Sequence, residues 1–169
     1  TPHVQILSNG NAVMVAQSAT GTGDGLDMGV KVMDSLGNVL SSFEITDHLD
    51  GSVVVKESLS RPFVTDLGGG EFLISYSTTH DYLEYKGMAR KFDSSGNQVG
   101  AEITLQAGTT TGLSFLGNRE KQVWLDAPIS LGNDLVVIPV SDRSDGTTTL
   151  MKARLFNLST SSVVADILL

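Results

Sequence analysis

The sequence predicts an all-β chain built from three copies of one four-stranded antiparallel unit. Two landmarks carry the prediction. A Leu followed by a tight turn recurs at Leu7-Ser8-Asn9-Gly10, Leu67-Gly68-Gly69-Gly70 and Leu131-Gly132-Asn133-Asp134, at steps of 60 and 64 residues. A second landmark, Val32-Met33-Asp34, Lys91-Phe92-Asp93 and Leu155-Phe156-Asn157, recurs at steps of 59 and 64. Unrelated landmarks that drift together mark a repeated supersecondary unit. Composition agrees: 18 glycines among many Val, Leu, Ser and Thr residues favour strands joined by tight turns, and no long helix is expected.

In the first copy, residues 4–7 read as a short strand, Asn9-Gly10 as a hairpin turn and residues 12–17 as the second strand. A Gly/Asp-rich loop over 18–28 follows. Strands 29–33 and 39–45 then pair across the turn 34–38, where Asp, Gly and Asn supply the turn chemistry. The second copy repeats the plan with strands at 63–67, 71–77, 85–92 and 98–105, turning at 68–70 and 93–97. The third offers strands at 127–131, 134–141, 148–156 and 162–168, and Pro139 inside the second of these implies an edge or a bulge. Connectors over 46–62 and 106–126 are long enough to cross a sheet about 15 Å wide. Their apolar runs, Val53-Val54-Val55 and residues 113–116, read either as ordered loop or as extra edge strands. The whole of 1–169 is one repeat domain on this reading, with repeats at about 1–56, 57–120 and 121–169.

Tandem four-stranded units of this length, each unable to bury its apolar faces alone, have the form of β-propeller blades. Three blades do not close a ring, since propellers use about four to eight. The expected structure is therefore a partial β-propeller completed by oligomerisation, such as a homodimer of six blades, or by a partner segment. A β-trefoil or β-sandwich of the same twelve strands is the alternative.

The best-preserved stretch is Met88-Ala89-Arg90-Lys91-Phe92-Asp93-Ser94-Ser95-Gly96-Asn97-Gln98-Val99-Gly100, echoed by Ala153-Arg154-Leu155-Phe156-Asn157 and by Asp34-Ser35-Leu36-Gly37-Asn38-Val39, with Lys31 where the Arg falls. This pattern resembles blade-like repeats of large bacterial secreted and surface proteins, including adhesins that also carry calcium-binding nonapeptide repeats. The resemblance covers nearly the whole chain. It implies fold more than function, because the motif specifies a hairpin rather than a chemistry.

A net charge of −8 and eleven unclustered basic residues disfavour nucleic acid as a partner. Cysteine is absent, which excludes disulfides, thiol nucleophiles and zinc–thiolate sites. An acidic, cysteine-free β chain points to an extracellular or cell-surface setting in bacteria. Apolar runs such as Leu135-Val136-Val137-Ile138 are far too short for a helical membrane span, so no membrane insertion is expected. The start at Thr1-Pro2 suggests a piece of a longer precursor, which makes further blades of that precursor a second class of partner.

The ligand-binding candidates are His80, Asp81, Tyr82 and Tyr85, on a loop of the second copy where carboxylate, imidazole and aromatic rings could grip a sugar or serve acid/base chemistry. Asp24 and Asp27, within Gly21-Thr22-Gly23-Asp24-Gly25-Leu26-Asp27, are the metal candidates. Their Gly/Asp rhythm suits calcium, although the twelfth position that an EF-hand fills with Glu holds Ser35 or Asn38. His3 and His48 read as surface residues and Trp124 as packing. No hydrolase, metalloprotease, phosphate-loop or dinucleotide fingerprint is present. The functional expectation is a non-enzymatic extracellular binding or assembly module of a bacterial surface or secreted protein, recognising carbohydrate or protein. A polysaccharide lyase or hydrolase acting through the His80 loop and a self-associating structural subunit are the alternatives.

Overall fold

The computed structural model describes residues 2–18, 27–46, 57–80, 84–110, 123–142 and 150–169. These residues form strands and turns, with no helix among them. The first sheet runs in the order β1 (His3–Ile6), β2 (Ala12–Ser18), β3 (Asp27–Met33) and β4 (Val39–Ile45). The second follows with β5 (Glu57–Gly68), β6 (Glu71–His80), β7 (Glu84–Phe92) and β8 (Ile103–Thr110). In the third, β10 (Ile129–Gly132), β11 (Leu135–Asp142), β12 (Leu150–Asn157) and β13 (Ser162–Leu168) are neighbours in order, and β9 (Val123–Leu125) also pairs with β11. Every pairing is antiparallel, and none of the three sheets closes into a barrel of the trefoil kind.

Local chemistry sets the turns. In the first hairpin the Leu7 amide donates to the Asn11 carbonyl at 2.7 Å and Gly10 takes φ +88, a left-handed geometry that glycine adopts freely. In the second, Asp34 Oδ1 accepts from the amides of Leu36 and Asn38 at 2.9 and 2.8 Å while Asn38 Nδ2 donates to Oδ2. Asp93 and Asn97 repeat the arrangement bond for bond. In the third sheet Asn157 Oδ1 takes the Thr160 amide instead.

Three strands depart from the sequence expectation. The fourth strand of the second sheet, expected over 98–105, is β8 at Ile103–Thr110, preceded by one bridge between Phe92 and Gln98. Gly100, at φ +79, breaks the strand after the turn. The other two differences concern the first strands. β5 reaches back to Glu57 through a register shift between Ser60 and Phe63, where Arg61 takes φ 53 ahead of Pro62. β9 and β10 are the same strand cut in two at that point, so both expected connectors give up residues to strands. The cut accommodates Pro139. The Asp126 amide donates to the Pro139 carbonyl, so the missing N–H of Pro139 points to the same side, into the break between β9 and β10. Pro139 therefore lies in an internal strand, opposite an interruption of its neighbour. The runs at 53–55 and 113–116 lie outside the described residues.

The sheets stack face to face in chain order. Side chains alternate across a strand, so β6 sends Phe72, Ile74 and Tyr76 toward the first sheet and Leu73 toward the third. Leu7, Val13, Val15, Val30 and Val32 meet the former set, and Val136, Ile138, Val140 and Phe156 meet the latter side. The middle sheet is thus buried on both faces. Between successive sheets the first strand of the later one lies against several strands of the earlier one, β5 against β1, β2 and β3, and β9 and β10 against β7, β6 and β5.

Candidate functional site

The strand ends that flank the predicted loops share one end of the stack. Ser18 opposite Asp27, His80 opposite Glu84 and Asp142 opposite Leu150 are the last pairs of the three central hairpins. The backbone of His80, at the end of β6, is level with Glu84 on one side and Glu57 on the other, which brings two acidic positions beside it. Tyr85 lies in β7 opposite Thr79 and Thr109. Asp81, Tyr82 and Asp24 lie outside the described residues, as does His48. Asp27 is buried at the start of β3. No cluster of three or more His, Cys, Asp or Glu able to hold a metal ion occurs among the described residues. Trp124 belongs to β9, opposite Ser141.

The motif residues turn out to hold the sheets themselves. Arg90 on β7 pairs with Glu102, Nε to Oε1 at 2.9 Å, and the Tyr76 hydroxyl donates to the same carboxylate. Burial of Tyr76, reinforced by that acceptor, pushes its phenol well above the ordinary range. Arg154, the equivalent in the third sheet, grips Asp166 with two bonds of 2.7 Å and reaches back to the Leu105 carbonyl at 3.1 Å and to Gln106. Its hydrogen bond to Asp166 holds that carboxyl below the usual range. In the first sheet the same pair of positions holds Lys31 opposite Ser42. The turn residues Asp34 and Asp93 are likewise lowered, first by the side-chain bonds from Asn38 and Asn97. These groups are committed to architecture. A hollow of about 300 Å³ beside β8 is lined by Lys91, Glu102, Asp134 and Leu158, and its charges are paired too, with Lys91 Nζ 3.0 Å from Glu71 and 3.3 Å from Asp134.

What stands uncommitted is the outer face of each end sheet. One repeat position tells the story. Leu7 is 2% exposed beneath the second sheet, Leu67 packs against the third, and Leu131, with no sheet beyond it among the described residues, is 57% exposed. The fourth strands follow suit: Phe43 and Ile103 pack into the two cores, whereas Ile167 is 60% exposed. At the opposite end, Val4 and Ile6 of β1 are more than half exposed, while Val64, equivalent to Val4 in the second sheet, is buried.

No family model, curated protein or solved structure matches this chain.

The junction between the first and second sheets shows how such faces are held. Asp66 accepts from the Ser8 amide at 2.9 Å, and Val64 N donates to His3 Nδ1 at 3.1 Å. The His3 ring meets Phe63 edge-on with centroids 5.5 Å apart. His3, expected at the surface, is thus half-buried between sheets, and this burial lowers its pKa from the ordinary imidazole value. Phe43 packs on Phe92 across the same junction, at 5.0 Å between ring centroids. Sequence reasoning missed these contacts because each joins residues about fifty to sixty positions apart. The one available signal was the apolar character of alternate strand positions, which marks a covered face without saying what covers it.

Proposed function

We propose that this chain is a non-catalytic binding or assembly module of an exported bacterial protein: three blade-like sheets whose two end faces accept further sheets, as in a partial β-propeller. The observation that carries the reading is the graded burial of Leu7, Leu67 and Leu131. Covering one Leu side chain is worth about 1.5–3 kcal/mol. An end face carrying Leu131, Ile129 and Ile167 therefore offers a driving force for adding a sheet comparable in kind to the one that joins the existing three. The face-to-face packing of successive sheets in chain order supports a stack that further sheets can extend. The cysteine-free acidic composition supports an exported setting.

Apolar-dye fluorescence on dilute monomer tests the reading. Dye should bind the wild type, and Leu131→Lys and Ile6→Lys should each remove part of the signal. Absence of dye binding, together with indifference to both substitutions, would exclude end faces that take up sheets.

A further inference from the structure

We infer that the open face of the third sheet receives the open face of the first sheet of a second copy, head to tail. The inference rests on the assembly reading above and adds the identity of the occupant.

The stack has a direction. Each sheet has a leading face toward the sheet before it and a trailing face toward the sheet after it. In the second sheet Phe72, Ile74, Tyr76 and Phe92 lead, while Leu73, Ala89, Ile103 and Leu105 trail. The positions equivalent to the first set are Val136, Ile138, Val140 and Phe156 in the third sheet, and these also lead. Both junctions inside the chain join a trailing face to a leading face. The two faces left open are one of each: the trailing face of the third sheet, with Leu131, Val137, Leu155 and Ile167, and the leading face of the first, with Val4, Ile6, Met14 and Met33. A second copy thus brings the kind of surface that this chain already places on its trailing faces.

The turns give an independent match. At the first junction the Asn9 side chain abuts Gly70, so closely that a Cβ there would lie 2.4 Å from Asn9 Nδ2. The position of Asn9 holds Gly69 in the second sheet and returns to asparagine, Asn133, in the third. The position of Gly70 is Gly10 in the first sheet, and a Cβ on Gly10 would meet nothing within 4 Å. Head-to-tail contact sets the turn of Asn133, which takes a left-handed backbone at φ 52, against the partner's Gly10, so an asparagine again meets a glycine without a Cβ, although from a tighter turn than that of Asn9. The second junction, with Gly69 and Asp134 at these positions, has no such pair. Charge is kept off the trailing face: on a chain of net charge −8, its positions Leu131, Val137, Pro139, Ala153, Leu155 and Ile167 are all uncharged, while the leading face of the first sheet carries Lys31 beside Met14 and Glu44 beside Gly29.

Contact between unlike faces gives a closed ring if the rotation closes and a filament if it does not. Sedimentation velocity over a concentration series, with Ile6→Arg, Leu131→Arg and their equimolar mixture, tests the contact. Both side chains are more than half exposed in the single chain, so each variant should keep the wild-type circular dichroism spectrum and unfolding midpoint. Wild type should associate, each variant alone should associate at least tenfold more weakly, and the mixture should recover a dimer through its one intact junction. Retained association of either variant alone, or failure of the mixture to recover any dimer, would overturn the inference. A wild type that stays monomeric while still binding apolar dye would also overturn it and leave the assembly reading standing. A monomer that binds no dye would remove both.

Discussion

Arg154 and Asp166 face each other across β12 and β13 in a two-pronged ion pair, Nε to Oδ1 and Nη2 to Oδ2 both at 2.7 Å. The guanidinium is 10% exposed and also donates to the Leu105 carbonyl, so one side chain ties the third sheet together and fastens it to β8. Removing one partner of a buried pair costs about 3–5 kcal/mol. Because Asp166 is one-third exposed, Arg154→Ala should cost less, about 2 kcal/mol in urea denaturation. Arg154→Lys should recover only part of this, since an ammonium lacks the planar fork. Asp166, held low by Arg154, contributes stability that is full above its ordinary value and lost as pH falls through the lowered one. The loss in Arg154→Ala should therefore be full above about pH 3.8 and shrink as pH falls below it, so that stability falls less steeply with acid in the variant than in the wild type.

His3 makes the junction between the first and second sheets sensitive to mild acid. Its Nδ1 accepts from the Val64 amide, which requires the neutral ring, and burial lowers its pKa from 6.5. The unfolded chain therefore binds the proton more readily than the folded one. Stability from this group is complete above about pH 6.5 and declines as pH falls toward the lowered value. Thermal unfolding between pH 7 and 5 should show a falling midpoint in the wild type and a smaller fall in His3→Phe. An unchanged slope in the variant would refute the assignment.

The parts of the fold that were legible in the sequence are those whose chemistry is local. Gly10, Asp34-Asn38 and Asp93-Asn97 specify their turns through bonds to residues within four positions, and the turns formed where expected. The start of β8 was missed because the pairing shifts by two residues across Gly100, an effect visible only against the partner strand. The division of one strand into β9 and β10 was missed for the same reason, although Pro139 was the clue to it. The end faces were illegible in principle. Leu7 and Leu131 are the same residue in the same motif, and only the presence or absence of a covering sheet separates them. His80 and Tyr85 lie at the adjoining ends of β6 and β7, while Asp81 and Tyr82 lie outside the described residues, so the chemistry of that loop is legible in the sequence alone.

Gly87 and Leu125 form a socket and a plug between the second and third sheets. A Cβ on Gly87 would lie 2.3 Å from Leu125 Cδ1, and the glycine is not in the left-handed region, so the space rather than the backbone demands it. Gly87→Val should destabilise by about 1–3 kcal/mol through overpacking. Leu125→Ala empties the same space and should cost about 2–5 kcal/mol alone. In the double variant the two changes should partly cancel, giving a coupling above about 0.5 kcal/mol in a double-mutant cycle. Strict additivity would mean that the two side chains do not share the space.

Ser75 faces the junction between the second and third sheets, on the side of β6 that carries Leu73. Its hydroxyl is fully buried and finds no hydrogen-bond partner among the described residues, and the equivalent positions hold Val15 and Pro139. Burying a hydroxyl without a partner costs about 1–3 kcal/mol. Ser75→Ala deletes the polar atom while leaving a void no larger than an oxygen, so the gain from removing it should exceed the packing lost. Urea denaturation should show Ser75→Ala more stable than wild type by about 1 kcal/mol with an unchanged m-value. A loss of stability of that size would show that the hydroxyl has a partner in the folded protein.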